Sequence, residues 1–249
     1  MSNMKTNLSE KIAIVTGGAK GYGAGIAEAL QAAGAKVWIT GRNEKTLQTT
    51  AQQLGVHALR ADVTSPADWD RLLDQVLQTH GRLDILVNNA GHAVRIQPVA
   101  DQTDETLQQS IATNLTGAML GCRRAAPVMK RQQSGTLINI SSVCAQYAWP
   151  GWAAYSAAKA GLVQFSKCLY TELREHGVRV TTLTPSWGAT DFAATDDLAG
   201  HPARDPKIRA QCMQPLELGH VVAHICEMPA HLAVLNYTVL PTVQEIMPL

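Results

Sequence analysis

Short apolar, β-branched runs alternate with helix-length stretches along this chain, and that alternation restricts its fold more than any other feature. Residues 11–16 (KIAIVT) form the first run, apolar at successive positions as a strand buried on both faces requires. A helical stretch follows through Ala33, with Gly34 placed as its C-cap. Residues 36–40 (KVWIT) give the second strand, and the pattern repeats: helix near 43–54, strand 56–60, helix 66–79, strand 83–87 (LDILV). One long helix is predicted over 103–131, then strand 136–140 (TLINI), a helix running to about Glu175, and strand 178–184 (VRVTTLT). The tail is looser, with a loop over 185–205, a short helix near 206–212, a helix at 216–228 and a last strand around 236–240. Single helices joining successive strands through short connections make an α/β fold, a doubly wound parallel β-sheet flanked by helices on both faces. The 249 residues suit one such domain spanning 1–249, with no repeat, linker or low-complexity tract to divide it.

Composition removes several classes of partner. A formal net charge of +1 without a basic block argues against nucleic acid. The five cysteines are scattered and form no CxxC pair, which reads as reduced thiols in a cytoplasmic protein. The first residues lack the apolar stretch of a signal peptide, and no run of about 18 apolar residues predicts a membrane span. His220 and His224 stand four apart on a predicted helix, but no third ligand accompanies them, so no metal site is expected.

Ligands of such sheets sit at the carboxyl ends of the strands. Gly17–Gly23, Asp62, Asn88–Gly91, Ser142 and Pro185–Asp191 all fall just after a strand, so five strand ends converge on one edge. Gly17, Lys20, Gly21, Tyr22 and Gly23 lie between the first strand and its helix, where glycines let a pyrophosphate approach backbone N–H groups at a helix N-terminus. The second strand ends in Thr40-Gly41-Arg42-Asn43, with no acid to take the ribose hydroxyls of NAD. Arg42 and Lys20 are placed to embrace a 2′-phosphate, so the expected cofactor is NADP(H); Glu44 reads as a first-turn helix residue. Asp62, before Val63, could accept from an adenine amino group; the alternative is a helix cap, a role Thr64 and Ser65 fill better. Asn88, Asn89, Ala90 and Gly91 close the fourth strand with small and amide side chains suited to the adenosine side.

The chemistry is carried by Ser142, Tyr155 and Lys159. Tyr155 and Lys159, spaced i, i+4, share one helix face. A phenol ionises near pH 10, and an ammonium one turn away is expected to lower that value and make it a usable acid or base. The Ser142 hydroxyl can hold the same substrate oxygen from another side. The unit suits alcohol–carbonyl interconversion with a hydride carrier.

Together these residues resemble the short-chain dehydrogenase/reductase family of compact, single-domain, Rossmann-type oxidoreductases. The likeness runs along nearly the whole chain: TGGAKGYG at 16–23, Asp62-Val63, NNAG at 88–91, Asn114, Ser142, YSAAK at 155–159 and the turn from Pro185 to Asp191. It implies Tyr155 as general acid/base, Lys159 as its modulator and a ribose ligand, and Ser142 as the group polarising the substrate oxygen. It implies that Asn114 holds a water relaying protons to Lys159, and that Thr190 with the 185–190 backbone, Pro185 and Gly188 included, binds the nicotinamide carboxamide. It also implies a small-molecule carbonyl or alcohol substrate, and a homodimer or homotetramer joined through the helices bearing Asn114 and Tyr155. The apolar stripe Ala154, Ala158, Gly161, Phe165 and Leu169, widened by Leu162 and Leu173, agrees with two packing partners for that helix.

The sequence departs from the family at Pro185-Ser186-Trp187-Gly188, where glycine is usual second and Val or Ile fourth. Trp187 is expected to lean toward the substrate or cofactor. Trp149, Trp152 and Cys144 are candidates for the substrate pocket, the thiol as an inert group. His92 and Arg95 either meet a polar substrate or are simply solvated, and Asp196 and Asp197 read as solvated loop. The segment VLPT at 239–242 resembles oxoacid, hydroxy-acid and broad carbonyl reductases, and a short lid over 191–212 implies an accessible pocket or a small substrate. Two other functions stay open on this scaffold: a non-catalytic dinucleotide sensor, and a cofactor-retaining epimerase or dehydratase.

Overall fold

A computed structural model of the chain describes residues 8–92, 95–194, 198 and 201–245; Asp196 and Asp197 lie outside the described residues. Among the described residues seven strands form one sheet: β1 (Ile12–Thr16), β2 (Lys36–Gly41), β3 (His57–Arg60), β4 (Ile85–Asn88), β5 (Gly135–Ile140), β6 (Val178–Pro185) and β7 (Asn236–Val239). Their order is β3-β2-β1-β4-β5-β6-β7, and all neighbours run parallel. The chain winds outward one way from β1 and the other way from β4, so a crevice opens between these two strands at their carboxyl ends. Helices α1 (Gly21–Ala32), α2 (Glu44–Leu54), α3 (Pro66–His80), α4 (Asp104–Ile111), α5 (Gly117–Gln132), α6 (Ala153–Leu173), α7 (Pro206–Arg209) and α8 (Pro215–Glu227) make the connections. Among the described residues no helix is long and apolar enough to cross a membrane.

Side-chain alternation along the strands divides the interior into two layers. Ala13, Val15, Val37 and Ile39 face one side, where Ile26 and Leu30 of α1, Leu47 of α2 and Leu218 and Val222 of α8 cover them. Ile12, Ile14, Leu86 and Leu137 face the other, against Trp69 and Leu72 of α3, Met129 of α5 and Leu169 of α6. Asn43, Ser65 and Thr103 cap α2, α3 and α4 by accepting backbone N–H groups.

The predicted helix over 103–131 is not continuous. A π-helical turn, Ala112–Thr116, separates α4 from α5. Its cause lies in Asn114, which is buried and turned toward the segment after β4. Asn114 Nδ2 donates to the carbonyls of Ser110 (3.0 Å) and His92 (3.1 Å), and its Oδ1 accepts the His92 N–H (3.0 Å). The wide turn rotates Asn114 into that contact, as π-turns at functional sites commonly do. The short helix expected over 206–212 is trimmed to α7, with Pro206 as its first residue and Asp205 accepting the Lys207 N–H at 2.7 Å.

At the opposite edge, Trp38 stacks on His57 with ring centroids 4.5 Å apart, and its indole Nε1 donates to His80 Nε2 at 3.0 Å. That bond requires His80 neutral at Nε2. Burial, with His57 and Lys36 nearby, holds the His80 pKa below its ordinary value. Its stabilising contribution is therefore complete above the unfolded histidine value, near 6.5, and is lost as pH falls through the lower folded value. His80→Gln keeps an acceptor that does not titrate. We expect wild type to lose more stability than this variant between about pH 7.5 and 5, measured by urea unfolding. Parallel losses in the two proteins would remove His80 as the cause.

Candidate active site

The carboxyl ends of six strands, β1 to β6, meet at one cleft of ≈ 1270 Å³. β1 and β4 are clasped together by Thr16, whose hydroxyl accepts the N–H groups of Asn89 and Ala90 at 3.0 Å each. Asn89 Nδ2 returns a bond to the Thr16 carbonyl at 2.9 Å. The glycine turn leaves β1 with φ of +64° at Gly17 and +54° at Gly21, a backbone that side chains with a Cβ rarely adopt. A Cβ on Gly17 would lie 3.0 Å from Ala90 Cα. The first turn of α1 has neither a side-chain cap nor an acidic residue, so its N–H groups face the cleft ready for an anion. Thr190 closes over this turn, its Cβ 3.4 Å from where a Gly21 side chain would begin. The buried hydroxyls of Thr40 and Ser186 border the cleft without a hydrogen-bond partner. A glycine cradle, an uncapped helix end and unpartnered hydroxyls fit an elongated phosphorylated ligand, and Lys20 and Arg42 stand exposed at the β1–β2 side. Asp62 accepts from both the Thr64 N–H (2.9 Å) and the Thr64 hydroxyl (2.8 Å). Burial alone would raise its pKa, but these bonds, with Arg42 and Arg60 nearby, bring it below the ordinary carboxylate value. It remains an acceptor at neutral pH, while Ser65 caps α3.

At the far end of the cleft Ser142, Tyr155 and Lys159 come together as the sequence predicts. All three are buried. Ser142, just past β5, accepts the Cys144 N–H at 3.2 Å and lies near enough to the Tyr155 phenol to act on its pKa. Lys159 Nζ lies 5.7 Å from the centre of the Tyr155 ring and donates to the Ile140 carbonyl at 2.9 Å. Gly91 lies between Lys159 and Asn114: a Cβ there would sit 3.8 Å from Lys159 Nζ and 3.2 Å from Asn114 Oδ1.

One electrostatic expectation is not met by the chain's own groups. Burial, and to a lesser degree the Cys144 thiol, raises the Tyr155 pKa above the ordinary phenol value; only the Ser142 hydrogen bond works against this. Burial lowers Lys159 to about 8. Desolvation disfavours the charged form of each group and is the largest influence on both. Burial also raises the Cys144 thiol, in keeping with an inert group.

Rings wall the rest of this end. Trp152 meets Tyr155 edge-on at 5.5 Å, and Trp149 and Trp187 border the same cavity. His92 and Arg95 border it as well, Arg95 with an exposed side chain. Sequence reasoning missed Phe192, His201, Gln244 and Glu245, which also line the cleft. Gln244 is held by its Oε1, which accepts the Trp187 N–H at 3.3 Å. The irregular segments that carry these four residues offer no periodicity to mark them.

The family model for short chain dehydrogenase matches residues 11–199. An uncharacterized oxidoreductase of Staphylococcus aureus (strain MW2) is 36% identical over 239 residues, covering 95% of this chain and 99% of that protein. The closed form of serine dehydrogenase complexed with NADP+ superimposes with a TM-score of 0.87 at 30% identity, over 96% of this chain and 98% of the other. A 3-ketoacyl-(acyl-carrier-protein) reductase from Brucella melitensis complexed with NADH gives 0.87 at 27% identity, over 95% and 99%. The chain is an oxidoreductase fold of the doubly wound type, and it belongs to the short-chain dehydrogenase family.

The departure at Gly188 now has a structural reason. A Cβ on Gly188 would lie 2.3 Å from Tyr22 Oη and 2.4 Å from Tyr22 Cζ. The Tyr22 ring fills the space a Val or Ile side chain would need, and its hydroxyl donates to the Ser186 carbonyl at 3.2 Å. The two positions are alternatives: a large residue at 22 demands none at 188. Gly188→Val should destabilise the chain by about 1–3 kcal/mol through overpacking. Adding Tyr22→Ile should restore most of that loss in urea unfolding, a coupling that independent sites lack.

Proposed function

We propose that this protein is an NADP(H)-dependent carbonyl reductase, reversible as an alcohol dehydrogenase. The observation that carries the reading is the buried Tyr155, with Ser142 beside it and Lys159 Nζ 5.7 Å from its ring, lining a cleft whose other end suits a dinucleotide. NADPH, when bound, supplies the hydride that reduces a carbonyl carbon. Ser142 holds the carbonyl oxygen and Tyr155 gives it a proton, completing the alcohol. In alcohol oxidation the same phenol oxygen takes the proton back. Burial keeps Tyr155 protonated at neutral pH, the form reduction requires. Lys159, at about 8, lies near enough to neutrality to help re-protonate the phenol. Asn114 holds the His92 backbone beside Lys159, and we assign it the water that connects this amine to solvent.

Lys20 and Arg42, with no carboxylate among residues 40–43, favour the 2′-phosphate of NADP over the free ribose of NAD. Asp62, Val63 and the 89–91 backbone take the adenosine side, and Pro185, Gly188 and Thr190 the nicotinamide side. The free thiols of the chain suit the cytoplasm. Half-exposed Ile111 and Met119, on the helices flanking Asn114, suit a homodimer or homotetramer.

Tyr155→Phe should lower kcat for any accepted carbonyl by at least about 10²-fold, with NADPH affinity unchanged by fluorescence titration. Retained turnover would exclude Tyr155 as the acid. The wild type should oxidise NADPH in the presence of a carbonyl; binding without net oxidation would instead favour a sensor or a cofactor-retaining enzyme. Arg42→Asp should cut the NADPH-over-NADH ratio of kcat/KM by about tenfold or more, the equivalent of one charge-assisted contact. An unchanged ratio would leave the cofactor choice to other residues.

A further inference from the structure

The rings at the catalytic end form a connected wall. Phe192 lies 6.0 Å from Tyr155, Tyr155 5.5 Å from Trp152, Trp152 6.3 Å from His201 and His201 5.8 Å from Trp187, all between ring centres. Phe192 and His201 come from the segments after β6, Trp152 from the residue before α6, and Trp187 from the turn that ends β6. The wall therefore flanks the Tyr155 phenol with Phe192 and Trp152 and continues through His201 to Trp187. Apart from Tyr155, its members are only half-buried, so their faces are available to a ligand.

The charged side chains at this end are paired or exposed. Lys159, the buried cation among the described lining residues, is bonded to the Ile140 carbonyl. Arg209 donates to the Thr190 carbonyl at 2.7 Å and pairs with Asp191 at 3.5 Å. Arg95 and Glu245 are exposed at the rim. Among the described residues a substrate carboxylate would thus find Arg95, a solvated charge of opposite sign, and no unpaired buried cation; such exposed pairs contribute little. His201 Nδ1 accepts the Ala203 N–H at 3.1 Å, which places its remaining proton on Nε2. Burial holds its pKa below the ordinary value, so the ring is neutral at physiological pH and adds an aromatic edge rather than a cation.

From this wall we infer that the substrate is an uncharged aryl ketone or aryl aldehyde, or the corresponding benzylic alcohol, whose carbonyl meets Tyr155 and Ser142 while its ring packs on Trp152 and Phe192. The inference rests on the reductase reading above and narrows its substrate. Aromatic rings prefer edge-to-face and offset contacts with other rings, beyond what shared apolar area provides. The saturated analogue of an aryl ketone fills the same volume without that preference. The wall thus distinguishes aromatic from merely apolar substrates, and both from oxo acids.

The test is steady-state reduction by the intact protein with saturating NADPH, using three probes: acetophenone, cyclohexyl methyl ketone and 3-oxobutanoate. We expect kcat/KM for acetophenone to exceed each of the others by about tenfold, the effect of one or two ring contacts. Trp152→Leu and Phe192→Leu should each reduce that advantage over the cyclohexyl ketone, with NADPH affinity unchanged as the check on folding. Equal rates for the two methyl ketones, or preference for 3-oxobutanoate, would overturn the aryl assignment while leaving the reductase standing. An aryl advantage that survives both substitutions would also overturn the assignment of these rings. NADPH binding with no oxidation by any probe would overturn both readings together.

Discussion

A single buried contact sets the site: the Lys159 ammonium against the Ile140 carbonyl at the end of β5. An ammonium out of water is tolerated only where it has a partner, and this one is tied in both directions. Ser141, next along the chain from Ile140, donates its hydroxyl to the Lys159 carbonyl at 3.2 Å. Strand end and helix are thereby cross-braced, and Tyr155, one turn earlier on α6, is fixed over the sheet edge. Deeper in the core the same helix is anchored again: Asn139 Nδ2 donates to Ser166 Oγ at 2.8 Å, and Asn88 Nδ2 donates to Asn139 Oδ1 at 2.8 Å. A polar line thus runs from β4 through β5 to α6 inside an otherwise apolar layer. Such lines specify register, because sliding α6 by one turn would take the partners from Lys159 Nζ, the Ser141 hydroxyl and Asn139 Nδ2.

The same burial that places Tyr155 and Lys159 also sets their charge. Each is pushed toward its neutral form, the phenol upward and the amine downward to about 8. Spacing along a helix conveys proximity, from which an acidified phenol is a reasonable expectation. It conveys nothing of how little water surrounds the pair, and here desolvation is the dominant influence. A phenol that keeps its proton is a donor in waiting, which favours the reductive direction of the chemistry we propose.

Much of the architecture was legible because strand periodicity and glycine placement are local. The runs at 11–16, 36–40 and 178–184 became β1, β2 and β6 with ends displaced by a residue or so. The cleft residues that follow strand ends were legible for the same reason: topology puts every such end on one edge. The π-turn was not, since its cause is the reach of Asn114 to the backbone of His92, 22 residues away. Nor was the meaning of Gly188, which depends on a ring 166 positions earlier that the fold brings against it. Phe192 and His201 became visible only when folding gathered segments that have no regular repeat.

The two ends of the cleft differ in kind, and the strand order says how far apart they are. Lys20 and Arg42 follow β1 and β2, whereas the rings cluster around the ends of β5 and β6. From β2 to β6 the sheet crosses β1, β4 and β5, four strand spacings or about 19 Å. A compact ligand cannot satisfy both ends at once. The polar end must be met by something extended and anionic, and the ringed end by something apolar that brings its own reacting atom to Tyr155. Two ligands laid end to end along the switch between β1 and β4 meet both demands, whereas one long ligand would have to change from phosphate-like to aryl-like along its length. The cleft thus suits the two-ligand reaction we propose, with the cross-brace at Lys159 beside the point where those ligands would meet.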